Sequence, residues 1–164
     1  MQAHAATADP VAALLTQLKQ QLESLPSAGK LTEANAGTFY ALAYNEYGQG
    51  RYDKALQFFK LLLIYRPTNT VYLLGAALCL QRLRSYEMAA AAFVVLSYLE
   101  PGVPQHALAQ AECHLLCHER EQARETLVMT IDYCDRNPGH DTVRARAQAM
   151  LELMKAHHEP ATTS

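Results

Sequence analysis

The densest group of reactive side chains in this 164-residue chain is the run Cys113-His114-Leu115-Leu116-Cys117-His118-Glu119. Thiolates and imidazoles are the usual zinc donors, and an i, i+4 spacing stacks two side chains on one helical face. Around a helix axis, however, Cys113 and Cys117 point about 100° away from His114 and His118, so four ligands from this one helix do not converge. Cys79 precedes Cys113 by 34 residues, an interval that recurs throughout the chain. With Cys117 and Cys134, these four cysteines lack a disulfide-scaffold pattern and read as reduced, buried thiols. No metal or other cofactor is expected. His157-His158 reads as a solvated end. Glu112 is a lone carboxylate, better suited to a partner's backbone or lysine than to catalysis. There is no glycine-rich phosphate loop, nucleophile elbow or His-Glu-x-x-His motif, so the chain is not expected to be an enzyme.

What remains is non-covalent chemistry. Tyr40, Tyr44 and Tyr47 stand at i, i+4 and i+7 and therefore share one helical face. A tyrosine offers rigid apolar area with a polar tip, the combination that suits a peptide groove.

The elements that must position these tyrosines follow from an internal repeat. Pro67 and Pro101 lie 34 residues apart, as do Tyr52 and Tyr86, Phe59 and Phe93, and Leu62 and Leu96. Ala55, Ala89 and Ala123 keep the same interval, and Leu127 continues the Phe59–Phe93 column. This period and an Ala-x-x-x-Phe then Pro signature match the tetratricopeptide (TPR) helix–turn–helix unit. The third copy carries Asp135 where proline would stand. The expected fold is all-α, with three tandem TPR repeats at 36–67, 70–101 and 104–135 in a short superhelix.

Within the first repeat, Phe39, Leu42 and Ala43 are expected to lock helix A onto Ala55 and Phe59 of helix B, with Gly48 and Gly50 loosening the turn between them. Leu73, Ala76, Ala77 and Leu80 repeat this against Ala89 and Phe93. The tyrosine face is then left over. Its equivalents 34 and 68 residues on are Leu74, Leu78 and Gln81, then Leu108, Glu112 and Leu115. Stacking should align them as an apolar, tyrosine-edged strip, and such a strip on a soluble protein marks a partner site.

Repeats need sealed ends. Asn137-Pro138-Gly139 breaks the chain, and Asp141 can cap a C-terminal helix over 140–157 whose stripe is Val143, Ala147, Met150 and Met154. Upstream, Val11, Leu15, Leu18, Leu22 and Leu25 step by 4, 3, 4 and 3, a heptad seam within a helix over 10–28 and a candidate for dimerisation. Residues 1–9 and 158–164 are small and polar and read as flexible ends. Net charge is −2 with no basic run, which argues against nucleic acid. The apolar stretches 61–65 and 88–99 fall short of the roughly 20 residues of a membrane span, and the N-terminus lacks a secretory signal.

Several segments resemble the class II chaperones of bacterial type III secretion. They are Ala111-Glu112-Cys113-His114-Leu115, Tyr72-Leu73-Leu74-Gly75, Ser85-Tyr86-Glu87 and Ala147–Leu151, in order across about residues 30–155. The resemblance implies a protein of the bacterial cytoplasm that binds hydrophobic translocator proteins before export and keeps them soluble and separate. It implies a concave surface that captures an extended N-terminal segment of the translocator. The matching positions here are Tyr40, Tyr44, Tyr47, Leu74, Leu78 and Leu108. It also implies a homodimer formed through N-terminal regions. The chain departs from the family at Asp135 and at Cys117-His118-Glu119, where a glycine-containing turn is usual. The rival reading is a TPR adaptor that scaffolds a complex without chaperone duty. Adaptors that grip carboxylate tails line the inner face with Lys, Arg and Asn, whereas Tyr and Leu stand here.

Overall fold

A computed structural model describes residues 33–156, which form seven helices and no strand. They are α1 (Glu33–Gly48), α2 (Tyr52–Tyr65), α3 (Thr70–Arg82), α4 (Tyr86–Leu99), α5 (Pro104–Leu116), α6 (Arg120–Arg136) and α7 (Asp141–Ala156). The seam Val11, Leu15, Leu18, Leu22, Leu25 and the two terminal segments lie outside the described residues. Contacts divide the chain into two compact units after Ala76, inside α3. In the first, α1 packs on α2 and the start of α3. In the second, α4 packs on α5, α5 on α6, and α7 closes against α6 and α5.

The helices are cut to length by the same devices at each repeat. Arg66 and Glu100 leave helical geometry at φ −134° and −129°, each directly before a proline. Proline crowds the preceding residue out of the α region and has no N–H to give. With Asp135 in the proline position, α6 runs on to Arg136 and stops at Asn137, again the residue before a proline. The third helix pair is therefore extended rather than disordered. Asp135 accepts a bond from Arg144 of α7 at 3.3 Å, which ties the longer α6 to the next helix. Asp141 is the first residue of α7 and its carboxylate faces Arg144 at 3.4 Å.

The turns between paired helices share one backbone design. Gly50, Arg84 and His118 adopt φ of 75°, 60° and 63°, at the same place in each repeat. In each case the left-handed residue donates to the carbonyl three back, and the next N–H reaches five back: Arg51 to Glu46 at 2.9 Å, Ser85 to Leu80 at 2.9 Å, Glu119 to His114 at 2.9 Å. This is the Schellman arrangement, which satisfies carbonyls a helix end leaves open. The missing glycine at His118 leaves the geometry of the third turn unchanged. The first turn is not loosened by its glycines either. Arg51 forks onto both carboxylate oxygens of Glu46, one bond being 2.7 Å, and clamps it.

Buried in every repeat is the small–large pair of the second helix: Ala55 with Phe59, Ala89 with Phe93, Ala123 with Leu127. The next column holds Leu62 and Leu96, then Thr130, whose hydroxyl donates to the Thr126 carbonyl at 2.7 Å and so enters the core without an unmet polar group. Ala43, Ala76, Ala77 and Leu80 are buried as the repeat pattern requires. Leu42 is not: it is 40% exposed, and the expectation that it locks α1 to α2 is corrected. Phe39 meets Phe58 at 6.1 Å, while Phe59 is met by Tyr40 at 6.3 Å. The aromatic lock thus comes from two adjacent residues, Phe39 and Tyr40, on either side of the α1–α2 contact.

Candidate functional site

The tyrosine face divides into three environments. Tyr40 is half-buried, its ring against Phe59, 5.8 Å from Tyr72 of α3 and 6.5 Å from Tyr44. Tyr44 is 68% exposed, an aromatic ring held at one edge and open on the rest. Tyr47 turns to Tyr52 of α2, edge-on at 5.2 Å. Tyr40 and Tyr44 therefore stand together with Tyr72, and Tyr47 joins a separate pair. Tyr72 was not among the residues the spacing singled out, because it lies two positions before Leu74 rather than on its column. Its N–H is held by the Asn69 side chain at 3.1 Å, which caps the first turn of α3.

Gly75 is another residue missed. A Cβ built there would lie 2.3 Å from Cε1 and Cζ of Phe59, which is 3% exposed. Glycine is thus what lets α3 approach Phe59, and Tyr40 rests on the same ring. The signal was present in the Tyr-Leu-Leu-Gly run: a helix-interior glycine costs about 1 kcal/mol against alanine and calls for a packing reason.

Leu74 and Leu78 are half-buried, with surface left to offer. Leu108 is different. It is 5% exposed and sits in a core with Ala111, Leu127, Cys134, Val143 and Ala147, flanked by Met150 and Met154 of α7. Its assignment to a binding face is corrected: the third member of that column has become core because α7 covers it. The neighbouring column runs to charge. Glu112 pairs with Arg146 of α7 at 2.6 Å, and burial holds its carboxyl above the usual carboxylate range, with Arg146 only partly offsetting this. Arg146 was also missed, although it continues the Tyr44–Leu78–Glu112 column by one more step of 34.

The thiol and imidazole groups around residue 113 are engaged separately. Cys79 and Cys113 are buried; burial pushes the Cys79 thiol up to about 11 and raises Cys113 as well. Gln81 donates to Cys113 Sγ at 3.3 Å. His114 places Nδ1 2.6 Å from Glu119 and Nε2 3.2 Å from Gln110. Among the described residues no group of three or more His, Cys, Asp or Glu is arranged to hold a metal, and no helix is long and apolar enough to cross a membrane.

Comparison with known proteins places this geometry. Residues 39–69 match the tetratricopeptide repeat family model. The Low calcium response locus protein H of Yersinia pseudotuberculosis is 28% identical over 123 residues, covering 73% of this chain and 71% of that protein. The crystal structure of PcrH from Pseudomonas aeruginosa is 30% identical and superposes with a TM-score of 0.65 over 76% of this chain and 95% of PcrH. PcrH in complex with the chaperone binding region of PopD is 29% identical, with a TM-score of 0.68 over 79% of this chain and 97% of that one. With three repeat units of one design, a capping helix and this kinship over nearly the whole of PcrH, the chain belongs to the class II chaperones of type III secretion.

Proposed function

We propose that the chain is a cytoplasmic chaperone that binds hydrophobic translocator proteins and keeps them soluble and competent for export. The observation that carries this reading is the kinship with PcrH, a protein solved in complex with the chaperone binding region of PopD. The face proposed to hold the guest is Tyr40, Tyr44 and Tyr47 with Leu74 and Leu78, and Tyr72 beside them. An exposed ring, Tyr44, backed by Tyr40, which itself rests against Tyr72, supplies an apolar platform, and an extended guest segment laid on it loses little rotamer freedom from the chaperone's side. Binding of this kind needs no catalytic group.

The test is co-expression with a secreted protein carrying apolar membrane-spanning stretches, encoded beside this chain's gene. The expected result is that the partner moves from the pellet to the soluble fraction and co-purifies. A partner that stays insoluble with or without the chain overturns the chaperone reading in favour of a TPR adaptor.

Self-association is proposed through the seam Val11, Leu15, Leu18, Leu22 and Leu25. A charge in such a seam is desolvated without a partner on association. Leu18→Glu is therefore expected to sediment as a monomer, and an unchanged sedimentation coefficient removes the seam from the interface.

A further inference from the structure

The second helices of the three repeats differ at the positions that face away from their buried alanines. In α2 these positions hold Lys54, Gln57, Leu61 and Ile64, and in α6 they hold Gln122, Glu125, Met129 and Asp132. In α4 they hold Met88, Ala91, Val95 and Tyr98, and no charged residue stands between Glu87 and Glu100. Met88 is 56% and Tyr98 52% exposed, Ala91 is exposed and Val95 partly so. Every residue of this face belongs to the unit that begins at Ala77. The repeat packing of that unit buries Ala89, Ala90, Phe93 and Leu96 of α4 and makes no use of the apolar face beside them. A contiguous apolar face left in water calls for a partner.

We infer that this face of α4 is the seat of the N-terminal seam of a second copy, which lies parallel to α4. The inference rests on the seam reading above and names what the seam packs on. Met88, Ala91, Val95 and Tyr98 step by 3, 4 and 3, and so do Leu15, Leu18, Leu22 and Leu25. The two sets therefore match in layers: Leu15 with Met88, Leu18 with Ala91, Leu22 with Val95, and Leu25 with Tyr98. Charge fixes the direction and the register. In the heptad frame of these layers Glu87, which is exposed, takes a g position of α4, and Lys19 takes an e position of the seam. A parallel pair sets g of one helix beside e of the other, so Lys19 meets Glu87. Lys19 is the one cation between Val11 and Leu25. Set in parallel against another seam, it would face Leu14 instead, which offers no charge. The carboxylate on α4 thus decides between the two occupants.

The experiment is sedimentation of the full chain, with circular dichroism to confirm that each variant keeps its helix content. Ala91→Glu sets a charge at a solvent-facing position of α4 and is expected to sediment as a monomer, as Leu18→Glu does. Glu87→Lys and Lys19→Glu are each expected to weaken self-association about tenfold by setting like charges together, and the double variant should recover it. This charge exchange also decides the matter if Ala91→Glu loses helix. Ala91→Glu that associates like the wild type while Leu18→Glu is monomeric overturns the inference and leaves the seam reading standing. So does a double variant no stronger than its single parents. A wild-type chain that is itself monomeric, or Leu18→Glu with an unchanged sedimentation coefficient, overturns the seam reading and the inference with it.

Discussion

Gly75→Ala is expected to destabilise the protein by about 1–3 kcal/mol, although alanine is the better helix former by about 1 kcal/mol. The sign is decided by the 2.3 Å separation between the added Cβ and the Phe59 ring. That ring is buried and already pressed by Tyr40 at 6.3 Å between centroids, so it has no empty side to yield into. Either α3 is pushed away from α2 or Phe59 leaves its rotamer, and both loosen the platform under Tyr40 and Tyr72. Urea unfolding followed by circular dichroism measures the loss. Gly48→Ala is the control: nothing lies within 4 Å of its Cβ, and it should be neutral or mildly stabilising. A Gly75→Ala midpoint equal to or above that of the wild type would show that the Phe59 contact is soft.

The second large effect separates two tyrosines that the sequence presents as equivalent. Tyr44→Ala should change stability by less than about 0.5 kcal/mol, since the side chain is mostly in water. It should nevertheless weaken guest capture at least about tenfold, the loss typical of an aromatic anchor. Tyr40→Ala removes a ring packed on Phe59 and Tyr72 and should cost about 2 kcal/mol, below the figure for a fully buried aromatic. Tyr40→Phe, which keeps the ring, should retain that stability. Urea midpoints and the yield of co-purified guest read the two effects independently. Guest capture by Tyr44→Ala at the wild-type level would remove this face from the binding site.

The repeat is legible because its determinants are residues with few alternatives. Alanines recur where helices touch, large apolar residues face them, and prolines stop the chain, so a count of 34 recovers the order and extent of six helices. The face of α1 is less legible. Helical periodicity assigns directions in steps of about 100°, and Phe39 and Tyr40 differ by one such step, yet both reach α2 because aromatic rings are long enough to wrap its flanks. Leu42 shows the reverse, a consensus position that this packing leaves at the surface. Leu108 was misplaced because repeat equivalence carries no knowledge of what ends the array. Val143 and Ala147 of α7 join its cluster and convert a would-be face residue to core. Arg146 could have been found by continuing the column one period further. Gly75 could have been found by asking why a helix tolerates it.

The left-handed turns carry one more consequence. At Gly50, Arg84 and His118 the closing bonds run entirely between main-chain groups, and the Arg84 and His118 side chains face solvent. Two of these residues bear the roughly 1–2 kcal/mol strain of a Cβ in that conformation, and the backbone holds its shape regardless. Each repeat therefore contains a site where the residue type is decoupled from the architecture. Mutation can change charge or size there without disturbing the buried alanine columns or the tyrosines proposed to hold the guest, giving the lineage a place to acquire new surface contacts while the inherited scaffold stays constant.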